Sequence, residues 1–468
     1  MKIEQIYTGC LAQGAYYIES EGQAAIIDPL REVAPYIKKA RSAGAEIKYI
    51  FETHFHADFV SGHLTLSRQT GAPIIYGPLA NPSFDTIIAG DGQSFELGKV
   101  RIVALHTPGH TMESTTWLLR DENGKDHAIF SGDTLFLGDV GRPDLAQKAA
   151  HLTQEQLAGT LYDSLRNKIM PLNDEVIVYP AHGAGSACGK NMMKETVDTL
   201  GNQKRVNYAL RADMSKAEFV EEVTEGLLPP PQYFPLNVKL NKEGYEDIEV
   251  VLERGARGLS PEAFEAAANE TGSLVLDVRN QEEFAKGHIP RSIFIGLDGS
   301  FAPWVGALVA DVKQPILLVA PEGREEEAVT RLSRVGFDQT LGFLQGGFEA
   351  WKASGMEYDT VSSIKAEDLE KLLNEGKVPV YDVRKESEYS SEHIIDAENT
   401  PLDFLNEHMS AFPYTTFYLH CGSGYRSMIT ASILKSRGIH NLVDIAGGFD
   451  AIKKTPIPVT ENVCPSTL

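Results

Sequence analysis

Histidines and carboxylates gather directly after several apolar segments in the first half of the chain. The segment THFHAD follows the apolar run IKYIF and contains His54, His56 and Asp58. Further candidates follow comparable runs, namely His110, Asp133 and His182. Side chains at the ends of strands can converge on one edge of a sheet, and this ligand set favours a catalytic ion with open coordination positions over a closed structural site. His106, His127 and His151 lack that context and are not assigned to the site.

A second reactive pattern lies near the end of the chain. The apolar run TTFYLH leads into the segment CGSGYRS, which begins at Cys421 and continues into a helix-like stretch. Such a loop presents backbone N–H groups and the positive end of a helix to sulfur, which stabilises a thiolate or an anionic persulfide. Arg426 adds a fixed charge suited to thiosulfate or sulfite. Cys421 and Arg426 are therefore the predicted catalytic residues, and the predicted persulfide loop between them is Gly422, Ser423, Gly424 and Tyr425.

The second half of the chain contains the same α/β unit twice. Residues 276–292 (LDVRNQEEFAKGHIPRS) match residues 381–397 (YDVRKESEYSSEHIIDA), and each copy closes with a GGF turn. The first copy has Ala320 where the second has Cys421, so it has no nucleophile. We expect a packing or docking role for the first copy and sulfur chemistry only in the second.

Alternating β-rich and helical segments predict an α/β protein, and its length requires several domains. The predicted domains are a metal domain with a C-terminal linker at 1–256, an inactive α/β domain at 257–358 and an active one at 359–468. The linker follows from the proline-rich run GLLPPPQYFPL, which breaks regular structure.

Composition excludes several classes of function. A net charge of −22 argues against a nucleic-acid-binding protein. No apolar run approaches the ~20 residues that span a bilayer, and the first residues lack the order of a signal peptide, so we expect a cytoplasmic protein without membrane contact. The four cysteines form no paired motif and predict no disulfide framework. A homo-oligomer is compatible with the sequence.

The segments THFHADF, TPGHT, SGDT and PAHG together resemble the signature of the metallo-β-lactamase superfamily over roughly residues 1 to 250. That resemblance implies an αββα sandwich with the site at the edge where the two sheets meet. The six-residue loop from Cys421 to Arg426, with the DVR and GGF segments, resembles rhodanese domains, which have parallel sheets. Along essentially the whole chain, the order of segments is similar to fusions of a persulfide dioxygenase with rhodanese domains.

The resemblance also implies a metal. The usual motif is H-x-H-x-D-H, but Phe59 replaces its last histidine and offers no donor atom, so one ion per chain is expected. The resemblance implies Fe(II) held by His56, His110 and Asp133, with zinc as the alternative. His54, Asp58 and His182 would then orient the ligands, or bind metal themselves as in hydrolytic relatives.

The function implied by the resemblance belongs to sulfide metabolism. A small-molecule thiol persulfide would be oxidised by O2 to sulfite, and Cys421 would exchange sulfane sulfur with thiosulfate. Arg142 would meet a substrate carboxylate or pair with Asp144, and Cys188 would carry sulfur or fill the core as a small apolar residue. Three alternatives are a zinc thioester hydrolase like glyoxalase II, a non-catalytic sulfur relay, and a phosphatase at the last loop.

Overall fold

The computed structural model describes residues 1–147, 151–227, 229–376 and 378–463. These residues divide into two compact units. The first unit comprises Met1–Val250 with the short segment Leu332–Gly336, and the second comprises Val251–Arg331 with Phe337–Leu468. Within the described residues, no helix combines the length and apolar character needed to cross a membrane.

Two six-stranded sheets form the centre of the first unit. The first sheet is antiparallel over its first three strands and parallel from the third to the sixth, and the second is antiparallel except between its fourth and fifth strands. The strands of the first sheet are β1 Lys2–Thr8, β2 Gln13–Ser20, β3 Gln23–Ile27, β4 Glu46–Phe51, β5 Ile74–Tyr76 and β6 Ile87–Ile88. The strands of the second sheet are β7 Ser94–Leu97, β8 Val100–His106, β9 Thr115–Arg120, β10 Asp126–Gly132, β11 Ile177–Pro180 and β12 Asp198–Thr199.

Strand β2 shows how the first sheet is buried on both of its faces. Tyr16 and Ile18 lie in the core between the two sheets, whereas Ala15 and Tyr17 lie in the core between the first sheet and its helices. Because successive side chains of a strand point to opposite faces, a strand covered on both sides reads as a continuous apolar run. Trp117 of β9 and Phe130 of β10 complete the inter-sheet core.

Helices cover both outer faces of this sandwich. Two helices on the first sheet contribute Tyr36, Ala40 and Leu66 to the core, and two helices on the second sheet contribute Leu161 and Phe219. The helices of this unit are α1 Ala34–Ala43, α2 His63–Thr70, α3 Gln154–Ser164, α4 Leu200–Val206, α5 Lys216–Thr224 and α6 Phe234–Glu243. The order of layers confirms the αββα sandwich.

The proline-rich run is not linker along its whole length. Helix α6 begins at Phe234 inside that run, with a proline at its start, and Phe234 is buried. Proline is compatible with the first turn of a helix because the N–H group that it lacks has no helical partner there. The residues after the prolines therefore belong to the packed part of the first unit.

The second unit contains two five-stranded parallel sheets with the same strand order. Helix α7 Ile248–Gly255 begins in the first unit and ends in the second. The elements of the first copy are β13 Gly258–Leu259, α8 Pro261–Thr271, β14 Leu274–Asp277, α9 Gln281–Lys286, β15 Ile293–Phe294, α10 Phe301–Leu308, β16 Ile316–Val319, α11 Glu325–Ser333, β17 Thr340–Leu344 and α12 Gly347–Ala353. The elements of the second copy are β18 Ser363–Ile364, α13 Ala366–Glu375, β19 Val380–Asp382, α14 Glu386–Ser391, β20 Glu398–Asn399, β21 Phe417–His420, α15 Tyr425–Ser436, β22 Leu442–Ile445 and α16 Gly448–Ile452.

The central strands of these sheets are almost wholly buried. All four residues of β16 are buried, as are three of the four residues of β21. Parallel sheets need helices on both faces, which accounts for the apolar sequence ILLV of β16 and the mostly apolar sequence FYLH of β21. The α/β fold with parallel sheets is confirmed, while the predicted domain limits at 256 and 358 stay predictions.

Candidate metal centre and persulfide loop

The six metal-ligand candidates converge at the ends of four strands of the first unit. His54, His56 and Asp58 follow β4, and the other three follow β8, β10 and β11. All six are at most 5% exposed to solvent. The structure therefore brings together all six residues that were selected because they follow apolar segments. They are His54, His56, Asp58, His110, Asp133 and His182.

His54, His110 and Asp133 form one compact group of donor atoms. The Nε2 atom of His110 lies 3.4 Å from Oδ2 of Asp133, and Nε2 of His54 lies 3.8 Å from the same oxygen. Two imidazoles and one carboxylate on neighbouring loops make a 2-His-1-carboxylate set, which leaves positions on an ion free for other ligands.

The other ring nitrogen of each histidine in this group has a partner of its own. The Nδ1 atom of His54 lies 3.0 Å from Oγ1 of Thr53, and Nδ1 of His110 lies 2.8 Å from the backbone oxygen of Arg142. Such contacts orient an imidazole and leave Nε2 for a metal. Burial lowers the pKa of His110 to about 4 and holds that of His54 well below its usual value, so both rings are neutral donors.

The imidazole of His56 lies beside two buried carboxylates. Its Nε2 atom is 3.1 Å from Oδ1 of Asp28 and 3.4 Å from Oε2 of Glu52. Burial alone would lower the pKa of His56, but these two carboxylates outweigh it and hold the pKa well above its usual value. The structure therefore places His54, rather than His56, with His110 and Asp133, because the ring of His56 turns toward two buried acids.

Asp133 connects the first group to a second one. Its Oδ1 atom lies 3.5 Å from Nε2 of His182, whose Nδ1 atom lies 3.4 Å from Asp58. His56, Asp58 and His182 also have donor atoms within 4.8 Å of one another. Phe59 is fully buried beside this second group, with its ring 4.3 Å from that of His56, and it adds no donor atom.

The cluster fits a bound cation. Among the described residues, both carboxylate oxygens of Asp133 and both ring nitrogens of His182 are buried without a hydrogen-bond partner. Unpartnered buried polar atoms are costly unless a cation compensates them. Burial also raises the pKa values of Asp58 and Asp133 to about 6, which is the direction a positive ion would reverse.

Several supporting residues were not identified from the sequence. Asp28 accepts hydrogen bonds from both the backbone N–H and the hydroxyl of Thr53. Asn241, on α6, donates to the backbone oxygens of His56 and Phe59 and accepts from the N–H of Ser61. Asp28 was detectable as a carboxylate at the end of the run AAIID, but nothing in the sequence relates Asn241 to a loop so distant along the chain.

Gly141 permits a close approach beside the cluster. Its N–H donates to the backbone oxygen of Asp133, and a Cβ atom at this position would lie 2.1 Å from that oxygen and 2.9 Å from Nδ1 of His110. A larger residue here would displace two residues of the first group.

Arg142 has contacts of the kind that shape a loop. Its guanidinium forms a bidentate pair with Asp144 and donates to the backbone oxygen of Ala187. Cys188 is buried, with its sulfur within 4.8 Å of donor atoms of Asp133 and His182. Burial raises the pKa of the Cys188 thiol well above its usual value, which favours the protonated thiol. The contacts favour loop shaping over substrate binding for Arg142, and they place Cys188 beside the cluster.

In the second unit, Cys421 directly follows β21, and three residues separate it from the start of α15. The N–H of Gly424 donates to its sulfur over 3.2 Å, and Gly424 has the left-handed conformation, with φ 101°. The loop is closely packed from the other side, because a Cβ atom on Gly448 would lie 2.5 Å from the backbone oxygen of Cys421. This arrangement of a buried sulfur at a helix start is suited to an anionic persulfide.

Arg426 is paired rather than isolated at the edge of this loop. Its guanidinium donates to both carboxylate oxygens of Glu388, over 2.6 and 2.8 Å. The hydrogen bonds and charge of Glu388 raise the pKa of Arg426. The charge of Arg426, which is predicted to attract an anionic substrate, is thus partly neutralised by Glu388 of the same copy.

The first copy has the same frame without the nucleophile. Ala320 follows β16 as Cys421 follows β21. The pairs Asp277–Arg279 and Asp382–Arg384 have the same geometry, each with a shortest N–O distance of 2.6 Å. Since they occur in both copies, these ion pairs maintain the fold and do not mark the reactive copy.

The chain matches two protein families. The model of the metallo-β-lactamase superfamily matches residues 8–182, and the model of the rhodanese-like domain matches residues 260–354 and 365–455. The chain is 30% identical over 221 residues to the mitochondrial persulfide dioxygenase ETHE1 of Homo sapiens, covering 47% of this chain and 78% of that relative.

Two further similar proteins are a hydrolase and a metallo-β-lactamase of known structure. The chain is 27% identical to the hydroxyacylglutathione hydrolase GloC of Haemophilus influenzae, covering 45% of this chain and 99% of that relative. A crystal structure of a metallo-β-lactamase from Staphylococcus aureus has 30% identity and a TM-score of 0.64, covering 74% of this chain and 98% of the other.

Proposed function

Because the chain belongs to the metallo-β-lactamase superfamily and carries two rhodanese-like domains, we propose that it is a persulfide dioxygenase combined with a sulfurtransferase. One thiol persulfide, one dioxygen and one water would give the thiol, sulfite and two protons. The observation that carries the proposal is the group of His54, His110 and Asp133, whose neutral imidazoles and single carboxylate suit Fe(II). His54 replaces His56 in the ligand set inferred from the sequence.

The residues of the first unit have distinct tasks in this proposal. A bound Fe(II) would supply open positions for the persulfide sulfur and for dioxygen. Thr53 and the backbone of Arg142 hold the two imidazoles in orientation. Burial of the cluster excludes bulk water, which protects the persulfide from unproductive reactions.

The second unit would transfer sulfane sulfur. The Cys421 thiolate attacks the outer sulfur of thiosulfate, the sulfur–sulfur bond breaks, and sulfite leaves as a Cys421 persulfide forms. The reverse direction consumes sulfite and regenerates the thiolate. Sulfite is thus a product of the proposed oxidation and a partner in the proposed transfer, which is a chemical reason to join the two activities in one chain.

The experiment that tests the dioxygenase is oxygen uptake by Fe(II)-loaded protein given glutathione persulfide, with sulfite measured in parallel. We expect uptake to be lost in His54→Ala, retained in Cys421→Ser and retained in His127→Ala, which changes a histidine outside the cluster. Zn(II)-loaded protein should take up no oxygen. Absence of uptake by iron-replete wild-type protein would contradict the proposal.

A thioester hydrolase is the second candidate. The second group of donor atoms, His56, Asp58 and His182, and the similarity to a hydroxyacylglutathione hydrolase favour it. Phe59 and the pairing of His56 with Asp28 and Glu52 count against a second ion. Hydrolysis of S-lactoylglutathione by the zinc-loaded protein, without oxygen uptake by the iron-loaded one, would support this alternative.

The cytoplasmic location of the protein stays a prediction.

A further inference from the structure

The first rhodanese-like copy contacts the helix that carries the persulfide loop of the second copy. Tyr425 is the first residue of α15, immediately after Gly424, whose N–H donates to the sulfur of Cys421. The Tyr425 hydroxyl donates over 2.7 Å to the backbone oxygen of Gly296 in the first copy. Its ring meets the ring of Phe294 edge to face, with centroids 5.8 Å apart.

Gly299 of the first copy provides the space for this ring. A Cβ atom on Gly299 would lie 2.3 Å from Cζ of Tyr425, which is closer than side-chain carbons approach one another. Arg331 donates over 2.6 Å to the backbone oxygen of Leu297, so the segment that receives Tyr425 is held within its own copy. The ring therefore lies in a recess of the first copy, which the missing side chain of Gly299 leaves open.

Two further contacts fix the same helix along its length. The Ser432 hydroxyl, seven residues after Tyr425 on the same face of α15, accepts a hydrogen bond from the backbone N–H of Phe294 over 3.0 Å. Lys435 lies 3.0 Å from the carboxylate of Asp359, which pairs through its backbone with His288 of the first copy. The start, middle and end of α15 are thus all attached to the first copy or to the segment that follows it.

We propose that the first copy positions the persulfide loop of the second copy for sulfur transfer. It does so by holding Tyr425, the residue at which α15 begins. The inference rests on the proposed sulfurtransferase function. The loop stabilises an anionic sulfur only if its N–H groups point at that sulfur, and their direction depends on where α15 begins. The absence of a nucleophile at Ala320 is compatible with this role. Gly296 contributes only its backbone oxygen, and Gly299 contributes only the space for the ring.

The test compares single-residue variants of the full-length protein in the rate of Cys421 persulfide formation from thiosulfate, followed by mass spectrometry, and in steady-state transfer to cyanide. Tyr425→Phe removes the hydroxyl, and Gly299→Val fills the recess from the first copy. Tyr381→Phe is the matched control, because its hydroxyl donates over 2.8 Å to the backbone oxygen of Ala411 within the second copy.

We expect Tyr425→Phe to lower kcat about 3- to 10-fold, the effect of one lost hydrogen bond, with a KM for thiosulfate within about twofold of wild type. Gly299→Val should lower kcat further, and Tyr381→Phe should change it less than about twofold at a similar loss of thermal stability. Equal kcat in Tyr425→Phe, Gly299→Val and the control would overturn the inference. If wild-type protein forms no Cys421 persulfide, the proposed sulfurtransferase itself fails, which is a distinguishable result.

Discussion

The Nε2 atom of His56 lies 3.1 Å from the Asp28 carboxylate, whereas the Nε2 atom of His54, two residues earlier, faces Asp133. One histidine of the HFH segment therefore belongs to a buried ion pair and the other to the candidate metal group. Replacing His54 and replacing His56 should therefore have different effects.

His54→Ala should lower iron affinity by roughly 100-fold or more with little change in the stability of the metal-free protein, because it removes a ligand. His56→Ala should instead lower the free energy of unfolding by about 3 to 5 kcal/mol, since Asp28 loses its buried cationic partner and Glu52 keeps only His63. Metal content by mass spectrometry and thermal unfolding of the metal-free proteins measure the two effects. The reverse pattern, with iron lost and stability kept in His56→Ala, would restore His56 as the ligand.

Metal binding should depend on pH around the raised pKa values of the two carboxylates. Burial raises the pKa values of Asp58 and Asp133 to about 6, so the metal-free protein is stabilised by their protonation at low pH and loses that stability as pH rises through about 6. A cation must displace these protons below pH 6 and meets ionised carboxylates above it. The rise in Tm on adding metal should therefore grow from pH 5 to pH 7.5.

Calorimetry in two buffers of different ionisation enthalpy checks the same point, since binding at pH 5.5 should release protons that binding at pH 7.5 does not. Asp133→Asn should lose most of this proton release. An affinity that stays constant from pH 5 to pH 7.5 would show that the carboxylates are already ionised in the metal-free protein.

Arg142 and Asp144 should behave as one unit. Arg142→Gln and Asp144→Asn should each lower metal affinity about tenfold, because the pair holds the loop whose backbone oxygen orients His110. The KM for persulfide in the metal-saturated variants should stay near that of wild type. If Arg142→Gln raises KM strongly while metal affinity is unchanged, the guanidinium meets the substrate.

Glu388 should limit the attraction of the second copy for anions. Glu388→Gln removes the charge that balances Arg426, so the KM for thiosulfate should fall about two- to fivefold at low salt. This effect should shrink with added salt because exposed charges are screened. Glu392→Gln, which removes a carboxylate paired with Lys453, is the control. A higher KM together with a lower Tm would mean that the pair is needed to hold the loop.

The reactive copy of the repeat could be identified from the amino-acid sequence alone. The two copies align along the DVR and GGF segments, so Ala320 and Cys421 had to occupy the same place in the same fold, and the structure places both directly after the matching strands β16 and β21. The strand-end histidines were predictable for a similar reason, since the end of each apolar run marks the sheet edge where a loop begins.

The ligand set depended on contacts that no local pattern contains. His54 and His56 are chemically identical and two residues apart, and only the position of Asp28 at the end of β3 decides which of them turns toward the acids. Asn241 and Tyr425 likewise acquire their roles from partners 185 and 129 residues away. The sequence by itself determined the residue types, the two repeats and the strand ends at which chemistry is placed. The tertiary structure decided how those side chains pair, because pairing depends on which distant elements pack together.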